Sequence, residues 1–273
     1  MVALSTGASG RSDARRIEGR GTPEATWQAW GALDGLALRS AGELFPERRR
    51  VVVVAPHPDD ELLGCGGTLA VLARLGREIV VVGVTDGEAS HPRSTRFSPR
   101  ASAASRCAER RSGLDALGLD GASRRLGLPD GGVGAAEDRL TRTLQALLVP
   151  DDIVLATWRF DGHPDHEAAG RAAVAAATAS GCVTHEMPIW MWHWAAPGNR
   201  RVPWRRLTRV PLDAEALERK RIAIGAHESP LSRDGDRDAI LPDWALDRLR
   251  QPFDYFFASR RRRPRIGQPA SST

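Results

Sequence analysis

No apolar run in this 273-residue chain approaches the roughly 18–20 residues that a membrane span needs. The longest are short pieces such as Val51–Ala55 and Ile79–Val84. The N-terminus has no apolar core of a secretion signal either, so a cytoplasmic protein is expected. Cysteine is scarce: Cys65, Cys107 and Cys182 are odd in number and far apart, which excludes a disulfide framework and a thiolate zinc cluster. Lysine occurs once, at Lys220, among 39 basic residues, which reads as a compositional bias rather than a binding surface.

The net charge of +5 is equally uninformative about the body of the protein. Arg260, Arg261, Arg262, Arg263 and Arg265 supply all of it, so residues 1–259 are electrically balanced. A short arginine tail holds polyanions without sequence preference, and no specific nucleic-acid partner is expected. Hydrophobic residues make up 41% and charged residues 27% of the chain, ordinary values for a soluble globular protein able to bury a core. Composition divides the chain into a flexible leader over 1–24, a single domain over 25–259, and a basic disordered tail over 260–273.

Within the domain, Trp27, Trp30, Leu33, Leu36 and Leu38 fall at roughly helical spacing, which predicts a helix over about Ala25–Leu44. The valines of Val51–Val54 read as a strand buried on both faces. Helices are then expected over about Leu62–Leu75, Ser102–Leu117, Ala135–Leu148 and Glu167–Ala179. They alternate with strands at Glu78–Thr85, Arg124–Leu128 and Asp152–Thr157. That order implies an α/β protein with a mostly parallel central sheet and helices on both faces, whose ligands bind beyond the carboxyl ends of the strands.

Two polar clusters follow directly on such strands. The first is Ala55-Pro56-His57-Pro58-Asp59-Asp60-Glu61. Three successive carboxylates repel one another unless positive charge sits among them. Capping of the helix near Leu62 explains one of them and leaves His57 unexplained. The second cluster is His163-Pro164-Asp165-His166. Together they would gather imidazoles and carboxylates at one sheet edge, a thiolate-free donor set that suits a catalytic zinc. By residue type alone, His163 and Asp59 are as plausible as ligands as their neighbours.

The stretch Val51–Leu69 with its His57-Pro58-Asp59-Asp60-Glu61 core, paired with His163-Pro164-Asp165-His166, resembles the two signatures of the PIG-L/LmbE family of zinc-dependent deacetylases. The resemblance extends over roughly residues 50–230. Thr85-Asp86-Gly87-Glu88, Arg106 with Glu109, Leu128-Pro129-Asp130-Gly131, and Lys220 followed by His227 and Ser229 look like secondary features. It implies a Rossmann-like sandwich that removes an N-acetyl group from an amino-sugar conjugate, with one Zn²⁺ as cofactor and a small N-acetylated sugar as partner. Carried onto this chain, it makes His57, Asp60 and His166 the metal ligands and Asp59 the general base toward a metal-activated water. His163 becomes a second catalytic group, protonated and oriented by Asp165. The tyrosine that some relatives place before the second motif is replaced here by Phe160-Asp161-Gly162, and Tyr255 is the sole tyrosine.

Asp86, Glu88, Arg106 and Asp130 are candidates for contacts to substrate hydroxyls. Trp190, Trp192 and Trp194 alternate and would share one face of a strand, an aromatic surface for packing, a sugar ring or an acyl chain. Gly64-Cys65-Gly66-Gly67 stands too far beyond its strand to be a dinucleotide loop. The competing reading is a non-catalytic carbohydrate or metal-binding protein, which would need neither Asp59 nor His163.

Overall fold

In the computed structural model, which describes residues 15–17, 19–91, 94, 98–231 and 239–258, the four valines form the middle of the sheet. Strand Val51–Ala55 is buried along its whole length. It has a parallel neighbour on each side, Val51 pairing with Ile79 on one and with Ile153 on the other. Alternate side chains enter different cores: Val51 and Val53 pack on one face, Val52 and Val54 on the other. A strand with both edges paired and both faces covered has no wet side, which is why its sequence does not alternate. Each buried valine contributes roughly 1.5–3 kcal/mol.

The elements begin with α1 (Glu24–Gln28), β1 (Ala37–Leu38), α2 (Ala41–Leu44), β2 (Val51–Ala55), α3 (Asp60–Arg74), β3 (Ile79–Thr85), α4 (Pro99–Ala116) and β4 (Ser123–Leu128). They continue with α5 (Glu137–Leu147), β5 (Ile153–Thr157), α6 (Pro164–Ala179), β6 (Val183–Met187), α7 (Met191–Trp194) and β7 (Leu207–Pro211). Last come α8 (Ala214–Gly225), α9 (Glu228–Leu231), α10 (Asp243–Leu246) and β8 (Phe253–Ala258). The described strands form an 8-stranded sheet of order β1-β7-β8-β6-β5-β2-β3-β4. All pairings are parallel except those of β8, which runs antiparallel between β6 and β7. Leucines of α3 and α4 and the apolar side of α8 cover one face, while α5 and the alanine-rich side of α6 cover the other.

Every strand and helix expected from Val51 to Ala179 is present, with ends displaced by no more than a turn. From β2 the chain passes one way to β3 and β4, then returns to the other side of β2 as β5 and β6. The carboxyl ends of β2 and β5 therefore open side by side at the topological switch point, and both polar motifs begin there.

Two expectations are corrected. Residues 25–44 are not one helix: α1 ends at Gln28, a single 3-10 turn spans Gly31–Leu33, and α2 starts afresh at a Ser40–Glu43 capping box. The helical spacing of its apolar residues reflects a joint burial site, where Trp27 and Trp30 meet Trp204 and Trp27 also meets Trp192. Trp190–Trp194 is not a strand either, because Met191–Trp194 is helical. The Asp161 carboxylate accepts the backbone N–H groups of Ile189, Trp190 and Met191, satisfying donors that a helix start leaves free.

Thr22 donates its N–H to His193 O and its hydroxyl to Ala195 O, so packing begins ahead of the Ala25 boundary that composition suggests. Residues 1–14 of the expected leader and the expected tail over 260–273 lie outside the described residues.

Candidate metal centre

The chain leaves β2 through Pro56, whose carbonyl accepts from the N–H and hydroxyl of Thr85 on the neighbouring strand. His57 follows, and its N–H donates to Asp60 Oδ2 at 2.8 Å, closing the turn that starts α3. None of the three carboxylates caps that helix locally. Asp59 stands at the N-cap position without a side-chain cap and instead accepts from Arg106 Nη2 at 2.9 Å. Glu61 is fully buried and takes Arg110, at 2.8 and 3.1 Å. Asp60 lies between two imidazoles, 3.2 Å from His57 Nδ1 and 3.2 Å from His166 Nε2. Each carboxylate thus has its own cationic partner, which removes the repulsion implied by the sequence.

Arg110 also donates to the His57 carbonyl at 2.6 Å. It passes so close to β3 that a Cβ on Gly83 would fall 1.9 Å from its Nη1. The glycine is there because the guanidinium needs the space.

The second motif arrives from β5. His166 lies in the first turn of α6 and is fully buried. Its Nδ1 pairs with Asp161 Oδ2 at 2.8 Å, and its Nε2 has no hydrogen-bond partner among the described residues. Facing a carboxylate, Nδ1 keeps its proton, so that when the ring gives up its second proton to an incoming ion it is the Nε2 lone pair that is left aimed at the cluster. This is the tautomer of a metal ligand with a carboxylate behind it. The rings of His57, His163 and His166 have centroids 4.8–5.3 Å apart. Donor atoms of that trio lie within 4.8 Å of one another, and so do those of His57, Asp130 and Asp165.

The electrostatics ask for a cation. Burial pushes the His57 ring down, but the carboxylates of Asp130, Asp165 and Asp60 outweigh it and hold the ring well above its ordinary value. For His166, burial is likewise overcome by Asp60 and Asp161, raising it to about 9. Asp60, despite burial, is held well below the carboxylate range by these imidazoles. Burial raises Asp59, with Arg106 opposing. A donor set that retains protons on buried imidazoles among carboxylates has room for a divalent ion's charge. With the unpaired Nε2 of His166, it fits a metal.

His163 departs from expectation. Its Nδ1 accepts the N–H of Asp165 at 3.3 Å, and a protonated imidazole has no nitrogen left to accept with. Burial, then the charges of His166 and His57, lower it to about 3. With Nδ1 accepting, the proton of the neutral ring belongs on Nε2. Nor does the Asp165 carboxylate orient it. Its oxygens accept from Gly131 N–H at 2.7 Å and Val133 N–H at 3.2 Å, and one lies 3.4 Å from His57 Nε2. At the start of α6 the Asp165 backbone reaches His163 while its side chain turns to the loop after β4.

The four expected substrate contacts separate. Asp130 and Arg106 line the cavity around the cluster. Asp86 is engaged by Arg125 at 2.8 and 2.7 Å, and Glu88 accepts the Asp130 N–H at 2.8 Å, neither lining that cavity. Lys220 pairs with Asp254 at 2.6 Å in the core. Asp161 is the functional residue that motif reading passed over. Its position immediately before the second motif was the available signal.

A mostly parallel sheet with an imidazole–carboxylate cluster at its switch point defines an α/β protein with a candidate catalytic metal centre. Comparisons with known proteins narrow the class. A family model described as "PIG-L: GlcNAc-PI de-N-acetylase" matches residues 52–177. "1D-myo-inositol 2-acetamido-2-deoxy-alpha-D-glucopyranoside deacetylase" of Kineococcus radiotolerans is 31% identical over 182 residues, covering 53% of this chain and 50% of that protein. The chain therefore spans about half the length of this relative. "Probable N-acetyl-alpha-D-glucosaminyl L-malate deacetylase 2" of Bacillus cereus is 30% identical over 188 residues, covering 66% of this chain and 83% of that protein. The structure of N,N'-diacetylchitobiose deacetylase from Pyrococcus horikoshii shares the fold, with TM-score 0.56 and 22% identity over 77% of this chain and 80% of that one. The chain belongs to the PIG-L family.

Proposed function

We propose that this protein is a metal-dependent hydrolase that removes an N-acetyl or other N-acyl group from an amino-sugar conjugate. One observation carries the reading. His57, Asp60 and His166, the charged Asp59–Arg106 pair and the neutral His163 all face a single cavity. Relatives whose names describe deacetylases of N-acetylglucosamine conjugates support the substrate class.

His57, Asp60 and His166 would hold the ion, zinc in our reading, with Asp161 fixing the His166 tautomer. A bound divalent ion supplies Lewis acidity, making a water acidic enough to attack an unactivated amide at neutral pH. Asp59, anchored by Arg106, takes the proton from the attacking water and passes it to the departing nitrogen. His163 lines the same cavity, beside the His57 and His166 rings. Because Asp165 N–H occupies its Nδ1, its Nε2–H points outward as a neutral donor to the carbonyl oxygen, where negative charge develops. Arg106 and Asp130 are placed to touch substrate hydroxyls.

The test is a screen of N-acetylated amino sugars for amine release by the metal-loaded protein. Asp59→Asn should lower turnover about 100-fold to 10,000-fold while the bound metal, measured by elemental analysis, stays unchanged. Unaltered turnover in that variant, or no amine from any sugar, would leave the non-catalytic binding protein as the better reading.

A further inference from the structure

The cluster occupies one end of the sheet, and a cavity of about 1150 Å³ lies at the other. Strand β5 joins the two: Ile153 at its start lines this cavity, and Thr157 at its end leads toward the second motif. At the usual rise per residue that is a separation of about 13 Å. The lining comes from β5, β6, β8, β7 and β1, consecutive strands of the sheet, and from the chain between β1 and β2. With neighbouring strands about 4.8 Å apart, the cavity is a groove on the order of 19 Å long.

Its floor and its rim differ in character. Ala37, Leu44, Pro46, Ile153, Val183 and Ala258 make the floor apolar. The His185 ring beside them is lowered to about 4 by burial, so at neutral pH it adds no charge there. The rim is cationic, with Arg39, Arg49, Arg205 and Arg206 set against one carboxylate, Glu43. Arg39 takes that carboxylate at 3.3 Å, and Arg49 pairs with Asp151 at 2.6 Å. Arg205 and Arg206, exposed in the 3-10 turn ahead of β7, have no ion pair among the described residues. Two adjacent guanidinium forks without a counter-charge match the geometry of a carboxylate or phosphate.

We propose that this groove binds an amphiphilic anion, with a carboxylate or phosphate head at Arg205 and Arg206 and a single acyl chain along the apolar floor. A compact anion would leave most of the groove's length unfilled. An uncharged chain would leave the arginine pair unanswered. The site is separate from the cluster and does not depend on the deacetylase reading.

The experiment is calorimetry on the metal-loaded full chain with decanoate, decyl phosphate, decanol and inorganic phosphate. The proposal expects decanoate or decyl phosphate to bind about tenfold tighter than decanol and about 100-fold tighter than inorganic phosphate. The ratio between the two amphiphiles names the preferred head. The double variant Arg205→Gln/Arg206→Gln should erase the advantage over decanol. Ala37→Trp, which fills the floor, should weaken both amphiphiles about tenfold. All three positions are exposed, so these variants keep the fold. Binding should persist in His166→Ala, because the cluster is not its seat. Decanol or inorganic phosphate binding as tightly as the amphiphiles overturns the proposal. So does binding that is lost in His166→Ala and kept in the arginine double variant.

Discussion

The Asp161 carboxylate serves four donors: His166 Nδ1 and the N–H groups of Ile189, Trp190 and Met191. It therefore fixes the His166 imidazole of the cluster and starts α7 with one side chain. In Asp161→Asn an amide NH₂ would meet a donor where an acceptor is required. Metal affinity should drop about 10-fold to 100-fold, read by competition with a chromophoric chelator. An unchanged affinity would remove Asp161 from the centre. The contrast with the motif residues explains what was legible. His57, Asp59, Asp60, His163 and His166 cluster in short stretches, so the donor set could be read locally, while the family resemblance supplied their expected roles. The partners of Asp161 reach to Met191, and that of Asp59 is Arg106 on another helix. Nothing near either carboxylate in the sequence announces them. The contact between Asp165 and His163 was not legible locally either, since it is the Asp165 backbone N–H and not its carboxylate that reaches the ring.

At the scale of elements, α6 carries His166 into the cluster and rests directly on the chain leaving β5. A Cβ on Gly170 would lie 2.4 Å from the Thr157 carbonyl oxygen and 2.9 Å from Arg159 N, atoms of a backbone that cannot swing aside. Gly170→Ala should cost about 1–3 kcal/mol, lowering Tm, and should also weaken metal binding by lifting the first turn of α6. A variant that melts with the wild type would show that α6 shifts freely. The elements found correctly, β2 through α6, are those where hydrophobic period, length and capping agree. Those misread, residues 25–44 and Trp190–Trp194, owe their conformation to contacts with distant chain: an aromatic cluster and a remote carboxylate.

For the whole molecule, acid stability offers a probe away from the cluster. His185 on β6 is buried with its Nδ1 unpaired among the described residues, and burial lowers it to about 4 from 6.5. Below 6.5 the unfolded chain binds a proton that the folded chain refuses until about pH 4. Stability should thus fall through that window as pH drops, by at most about 1.4 kcal/mol per unit. Urea midpoints at pH 7.5 and 4.5 should differ less in His185→Gln than in the wild type. Equal differences would mean that the ring is solvated.

By itself the sequence determined the short unbroken apolar runs and the period-3.6 patterns that build a parallel sheet, and the residue types from which a divalent-ion site could be made. It did so because both are encoded by neighbours within a few residues. Only the tertiary structure decided which carboxylate meets which cation, that β8 enters antiparallel, and that Arg106 and Asp130 line the cavity of the cluster while Asp86 and Glu88 do not. Those outcomes depend on side chains that meet across the switch point from separate strands and helices, a distance that chain order does not record.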